Sequence, residues 1–260
     1  MIIIMAKDYT TPSTIKGKNY HCTGCGHSIV IKLLAELIDE MELREKTVFV
    51  RGVGCCSMTN RHFMVDTLHS SHGKTCACAT GVARGLPDVL TISYQGDGDA
   101  YDIGFAETFN AGYRNENIVN IVVLNTLFAM TGGQMSHTTL IGQRTESCTD
   151  GRDPEATGYP LRYPEMVKEQ LPHAYFARGA VWSPIEVRKT KELIRKAFNR
   201  QLNKEGYSMV EVMIPCPTNF KMTPLESIEW LQREASKTYT LGIIQEGAPK
   251  GFIPTFNNLK

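Results

Sequence analysis

No uninterrupted apolar stretch in this sequence approaches the ~18 residues that a membrane span requires. Met1-Ile-Ile-Ile-Met5 is apolar but too short for the apolar region of a signal peptide, and Met5 serves as a start as well as Met1 does. An excess of charge is missing too. Twenty-eight basic residues face 27 acidic ones, a formal net charge of +1, which argues against a nucleic-acid or membrane-surface binder. There is no internal repeat, low-complexity tract or linker. What remains is a 260-residue chain with 42% hydrophobic residues, enough for a sizeable core. These features predict a cytoplasmic protein with one α/β domain over residues 21–235, an irregular arm over 1–20 and a Gly/Pro-punctuated tail over 236–260 that lies on a neighbour.

The stretch from Gly96 to Gln134 organises the rest. An apolar run from Val89 to Tyr94 leads into Gly96-Asp97-Gly98. A helical segment follows, with Ile103, Ala106 and Ala111 on one side. A second apolar run, Ile118 to Leu124, then ends at Asn125. This is strand, tight turn, helix and strand, with an oxygen ligand at each strand's carboxyl end, the edge where open α/β sheets place their ligands. Asp97 offers a charged oxygen and Asn125 a neutral one, which suits Mg²⁺ held jointly with phosphates. Gly96 and Gly98 let a diphosphate approach the backbone at the start of a helix. Either piece alone is an ordinary turn; the pair at this spacing is the signal.

The other elements fall around it. Ser28 is read as the N-cap of an amphipathic helix carrying Ile29, Val30, Leu33, Leu34, Leu37, Ile38 and Met41. Thr47–Val50 is a short buried strand that opens into a loop holding Cys55 and Cys56. Residues 69–74 are read as irregular, and small residues over 75–85 suit a helix packed tightly on the sheet. A long loop covers about 135–164, and loops of that length are seldom idle. Ser183-Pro-Ile-Glu186 and Thr223-Pro-Leu-Glu226 are capping boxes with Pro at the first helical position. Met209 to Ile214 alternates as a strand and runs into Pro215-Cys216.

Eight cysteines in such a chain need a reason other than disulfides. Cys22 and Cys25 form a close pair in a glycine-containing loop, and Cys55 and Cys216 follow strands. Loops of a parallel sheet can share an edge, so four thiolates can gather there for zinc or for an iron–sulfur cluster. Two close pairs would favour a zinc ribbon; here Cys55 and Cys216 sit in separate loops.

These motifs resemble a known family. Gly-Asp-Gly followed by Asn after one helix and one strand resembles the thiamine-diphosphate motif, and Asn125-Thr-Leu-Phe-Ala-Met-Thr-Gly-Gly-Gln134 resembles the beta subunit of the 2-oxoacid:ferredoxin oxidoreductases. Phe128 and Ala129 replace the family's frequent Tyr-Gly. Cys22-Thr-Gly-Cys-Gly-His27, Gly52-Val-Gly-Cys55 and Pro215-Cys216 are similar to the family's cysteine motifs, and His72-Gly73-Lys74 resembles its His-Gly-Arg. The resemblance covers most of residues 20–232. It implies a mostly parallel sheet flanked by helices in a thiamine-diphosphate-binding fold. It implies Mg²⁺ on Asp97, Asn125 and the Leu127 carbonyl, and a 4Fe–4S cluster on Cys22, Cys25, Cys55 and Cys216, with Cys56 as the alternative to Cys55. Cys76, Cys78 and Cys148 are left as structural thiols.

His27 and His72 are the candidates for acid–base work. Thr131 is a candidate for a cofactor oxygen, and Gln134 and Thr138 for substrate contact. The implied reaction is coenzyme A-dependent oxidative decarboxylation of a 2-oxoacid, with electrons passed to ferredoxin. No glutamate motif of the thiamine type is present in the sequence. The family places that Glu on an alpha subunit, so a heteromer is expected. Met130 to Gln134 looks more like the branched-chain and 2-oxoglutarate branches, so 2-oxoisovalerate is the expected substrate and 2-oxoglutarate the next. Two competing readings are a non-oxidative thiamine lyase or synthase, which needs no cysteines, and a zinc-stabilised binding protein, which needs neither Asp97 nor Asn125.

Overall fold

The computed structural model describes residues 11–248. Met1–Met5, the first half of the expected arm and the tail from residue 249 onward lie outside the described residues. Among the described residues nine strands make two sheets. The larger contains β1 (Thr47–Arg51), β2 (Asp66–His69), β3 (Leu90–Gly96), β4 (Val119–Leu124), β7 (Tyr175–Ala180), β8 (Ser208–Met213) and β9 (Gly242–Gln245). Their order is β2-β1-β3-β4-β8-β7-β9. All neighbours are parallel except β9, which runs antiparallel to β7. The smaller sheet is a hairpin of β5 (Leu127–Phe128) and β6 (Gln134–Met135) just beyond β4.

The helices are α1 (His27–Glu40), α2 (Thr75–Gly85), α3 (Phe105–Tyr113), α4 (Pro154–Thr157), α5 (Tyr163–Val167), α6 (Pro184–Leu202), α7 (Pro217–Phe220), α8 (Pro224–Trp230) and α9 (Ser236–Thr238). The α1 and α6 side chains Leu34, Ile38, Ile194 and Phe198 pack on Phe49, Ile92, Ile121 and Val210 of one sheet face. On the other face, Cys76 and Ala79 of α2 and Ala111 of α3 pack with Val50, Val122, Phe176 and Met209. Covered on both faces, β4 and β8 are buried at every position. This is why β4 reads as a near-continuous apolar run; β8 alternates in sequence because buried Glu211 is held by Tyr101 and Arg178.

Four readings change. Helix α1 starts two residues earlier than the sequence implies, with Gly26 as N-cap, and the Ser28 hydroxyl instead accepts from Asn19 Nδ2 at 2.6 Å. A side chain at Gly26 would meet Ile214 Cβ at 2.5 Å, so only glycine lets α1 abut the end of β8. The helix after Gly-Asp-Gly is π-wound over Gly98–Ile103 before α3 begins. The wider turn rotates the pattern, leaving Ile103 and Ala106 exposed and Ala100, Tyr101, Thr108 and Ala111 inside. Edge strand β2 covers residues 66–69, taking in His69 from the stretch expected to be irregular; it is exposed throughout and so carries no apolar signal. Within the tail, β9 joins this chain's own sheet: Gln245 Nε2 donates to Leu171 O at 2.7 Å and to Ala174 O at 2.9 Å. Among the described residues no helix is long and apolar enough to cross a membrane.

Candidate active site

In a parallel sheet all carboxyl ends lie along one edge. The chain leaves β1 toward β2 on one side and resumes at β3 on the other, so the switch in direction falls between β1 and β3. Crevices at such switch points are where open α/β sheets bind ligands. The loops that meet there carry Cys55 after β1, His72 after β2, Asp97 after β3, Asn125 after β4 and Cys216 after β8.

Two cavities open at this edge. The first is lined by Gly96, Asp97, Gly98, Asp99, Asn125, Leu127 and Thr131, with His27, His72 and Phe128 beside them. A Cβ on Gly96 or Gly54 would meet nothing within 4 Å, so both backbones border open space. Gly98 is different: a Cβ there would lie 2.4 Å from Phe128 Cε1, because the Phe128 ring seats on it. Asp97 is buried and holds its carboxylate with Oδ2, which accepts from Thr126 N–H at 2.8 Å and from the Thr138 hydroxyl. Burial, with the nearby Asp102 adding to it, pushes its pKa up to about 7. Thr126 sits at φ +65, a left-handed turn that places Asn125 and Leu127 on either side of the Asp97 contact.

The second cavity, of about 290 Å³, is lined by Cys22, Cys25, Cys55 and Cys216, together with His21, His27 and Asn219. Burial pushes the Cys25 and Cys55 thiols up to about 12, and charge on the other cysteines of the set adds to it. Four thiols that repel one another's ionised forms call for a positively charged core. Cys56 is not part of this lining. It is buried and faces the first cavity. Cys76 bonds Ser93 in the core, and Cys148 lies in the long loop. Among the described residues no three His, Cys, Asp or Glu side chains converge as ligands of one ion. The four cysteines surround a volume rather than a point.

His27, Cys55, Asn125, Ala129 and Met130 line both cavities and form the wall between them. His27 Nδ1 pairs with Tyr94 OH at 2.6 Å, and burial holds its pKa well below the usual histidine range, so it is neutral. Thr131 lines the first cavity, but its hydroxyl donates to Gln134 Oε1 at 2.5 Å. Gln134 and Thr138, expected near substrate, line neither cavity: Gln134 ties the hairpin turn and Thr138 holds Asp97. Lys74 pairs with Glu107. Two residues escaped the sequence reading. His21 stacks on His27 at 4.9 Å, and its Nε2 is 3.1 Å from the Cys55 carbonyl. Asp99 gathers the loop after β2. Their only sequence cues were adjacency to Cys22 and to Gly98.

Comparison with known proteins agrees with this geometry. Residues 52–212 match the family model of the thiamine pyrophosphate enzyme C-terminal TPP binding domain. The chain belongs to these thiamine pyrophosphate enzymes and, among them, to the beta-subunit group of the 2-oxoacid:ferredoxin oxidoreductases. It is 37% identical over 220 residues to the ketoisovalerate oxidoreductase subunit VorA of Methanothermobacter thermautotrophicus, covering 85% of this chain and 46% of that protein. It is 30% identical over 211 residues to the 2-oxoglutarate synthase subunit KorB of Archaeoglobus fulgidus, covering 81% of this chain and 74% of that one. The chain thus spans about half the length of the ketoisovalerate oxidoreductase subunits it matches. A solved 2-oxoglutarate:ferredoxin oxidoreductase from Magnetococcus marinus shares the fold, with a TM-score of 0.76 at 21% identity over 95% of this chain and 87% of that one.

Proposed function

We propose that this chain is the cofactor-binding beta subunit of a coenzyme A-dependent 2-oxoacid:ferredoxin oxidoreductase. The observation that carries the proposal is the shared wall: a diphosphate–metal cavity and a four-cysteine cavity stand back to back. A non-oxidative thiamine enzyme has no use for the second cavity, and a zinc-stabilised binding protein has none for the first.

In this reading Asp97, Asn125 and the Leu127 carbonyl hold Mg²⁺, and Gly96 and Gly98 admit the diphosphate. Cys22, Cys25, Cys55 and Cys216 hold a 4Fe–4S cluster, whose ligands bind different irons and therefore surround a body rather than one centre. When bound, thiamine diphosphate supplies the electron sink for decarboxylation and the cluster an acceptor for single electrons. The chain's own residues orient and exclude. Thr126 and Thr138 fix the Asp97 carboxylate, Phe128 closes over Gly98, and neutral His27 offers its remaining ring nitrogen at the wall between the cavities. Val53, Leu127, Phe128, Ala129 and Met130 make one side of the first cavity apolar. Such a surface fits a branched aliphatic group better than a second carboxylate. The 37% identity to ketoisovalerate relatives, against 30% to a 2-oxoglutarate relative, points the same way. We therefore assign 2-oxoisovalerate as substrate, with 2-oxoglutarate second.

The test is an absorption spectrum of anaerobically purified protein, followed by assay of the complex reconstituted with its alpha subunit against a panel of 2-oxoacids. A broad band near ~400 nm bleached by dithionite marks the cluster. A colourless, zinc-containing protein would remove the redox function.

A further inference from the structure

We propose, on the cluster reading above, that Asn219 tunes the reduction potential of the iron–sulfur cluster by donating a side-chain N–H to the sulfur of Cys216. Asn219 itself holds no iron in that reading; it acts through the ligand.

Cys216 stands between Pro215 and Pro217, two rings that fix the backbone on either side of it. Pro217 opens α7, and Asn219 lies in the same short turn. Its Nδ2 is 3.6 Å from Cys216 Sγ and 2.8 Å from Ala129 O. Both partners are acceptors, so the amide turns its NH₂ toward them, with one proton for each. The hairpin turn hems the amide in from the other side. Gly133 sits at φ +97, and a Cβ there would lie 3.3 Å from Asn219 Cγ and Oδ1. The Asn219 backbone N–H faces the same sulfur.

Among the described residues this is the one side-chain hydrogen bond made to any of the four sulfurs of the second cavity. A residue that served only to brace α7 would need the Ala129 carbonyl and nothing more. Ala129 belongs to the wall between the cavities, so the same amide also ties the Cys216 sulfur to that wall.

Electrostatics gives the bond its task. Four thiolates leave a 4Fe–4S cluster negatively charged, and an added electron makes it more so. A donor aimed at a ligand sulfur therefore stabilises the reduced form more than the oxidised one, and raises the potential. Among the described residues lining this cavity there is no lysine or arginine to do the same by charge. The fixed dipole of the Asn219 amide takes that place.

The full chain, purified anaerobically with its cluster, is titrated electrochemically and followed by EPR. Asn219→Leu keeps the size and removes both protons. The one-electron reduction equilibrium should fall roughly threefold to tenfold, a midpoint lower by about 30–59 mV. Asn219→Asp has the same shape, no proton to give and a negative charge, so it should lower the midpoint further. Iron per chain should stay near the wild-type level in both, because the four thiols are untouched. An Asn219 that only braces α7 would do the opposite: iron would be lost while the remaining cluster kept the wild-type midpoint. An unchanged midpoint overturns the proposal. A measurement on the unaltered Asn219 stands apart from whether either variant folds. Pulsed EPR of the reduced cluster, with asparagine side chains labelled with ¹⁵N, should show a nitrogen coupling that survives Asn125→Ala, the other asparagine of the lining. Absence of that coupling overturns the hydrogen bond whatever the variants do. A wild type without iron would sink the cluster reading itself; a wild type with the cluster but neither effect would sink the role of Asn219 alone.

Discussion

The hydroxyl of Thr138, in the loop that follows β6, donates to Oδ2 of Asp97, at the end of β3. The same oxygen takes the Thr126 N–H, so two donors fix the carboxylate plane. Thr138 is fully buried and also meets the Ser136 hydroxyl, and neighbouring Thr139 donates to Thr126 O at 2.6 Å. The long loop is thereby clamped onto the Asp97 carboxylate from behind. Thr138→Val removes one donor without changing shape. Mg²⁺-dependent thiamine diphosphate affinity should fall roughly tenfold to a hundredfold, as for a hydrogen bond to a charged group, and Thr138→Ser should retain most of it. Asp97→Ala should abolish binding, and Asn125→Ala should weaken it. Calorimetry decides; unchanged affinity in Asp97→Ala removes the metal assignment.

Two glycines predict opposite responses to alanine. Gly81 faces open space in α2, where Ala should stabilise the fold by about 0.5–1 kcal/mol. Gly98 lies under the Phe128 ring, so Ala should cost about 1–3 kcal/mol unless the ring moves. Thermal melting of the two variants should shift in opposite directions. In a Phe128→Ala background the Gly98→Ala loss should shrink, because the clashing atoms are gone. A persistent loss there would place the strain in the backbone instead.

The sequence disclosed what repeats simple physics and hid what depends on tertiary contact. Ile118 to Leu124 reads as a strand because burial on both faces demands apolar residues, and Met209 to Ile214 because it alternates. Asp97 and Asn125 read as candidate ligands because a strand end supplies a fixed place for an oxygen, and the fold brings both to one cavity. The capping box of Thr223 and Glu226 forms with both reciprocal bonds, while of the expected box at Ser183 only the hydroxyl's bond from the Glu186 N–H forms. Strand β2 was hidden because an exposed edge imposes no pattern. Ser28 was misread because Asn19, nine residues away, takes its hydroxyl. The π-turn was invisible because an assumed period of 3.6 placed Ile103 inside. Asp99 and Thr138 look like ordinary loop polar residues until the fold shows what they hold.

The cysteine cavity makes the cluster assignment testable residue by residue. Cys22→Ser, Cys25→Ser, Cys55→Ser and Cys216→Ser should each lose iron and viologen-linked activity in the reconstituted complex. Cys148→Ser, outside the cavity, should keep both. Cys56→Ser is the sharper control: its thiol faces the thiamine cavity, so iron content should stay at the wild-type level. Iron quantified per chain, with the visible spectrum, gives the answer. Equal iron in wild type and Cys216→Ser would show that the ligand set is wrong.

The last prediction concerns what this chain lacks for turnover. Among the described residues no glutamate lines either cavity, while the sequence resemblance places the thiamine-activating Glu on an alpha subunit. Met130 lines both cavities and is 43% exposed, an apolar side chain at the place where a second subunit would close over the cofactor. Anchoring the diphosphate fixes one end of thiamine diphosphate; the aminopyrimidine at the other end needs a carboxylate to assist proton removal. General acid–base assistance of this kind is worth roughly 10²–10⁴-fold, and an unheld ring loses orientation as well. The isolated chain, loaded with thiamine diphosphate, Mg²⁺ and cluster, should therefore bind cofactor yet fail to reduce viologen with any 2-oxoacid and coenzyme A. Adding the alpha subunit should restore turnover, and an alpha subunit with its Glu changed to Gln should restore complex formation without activity. Robust turnover by the isolated chain would show that this half-site is complete and that its activating group lies within the chain.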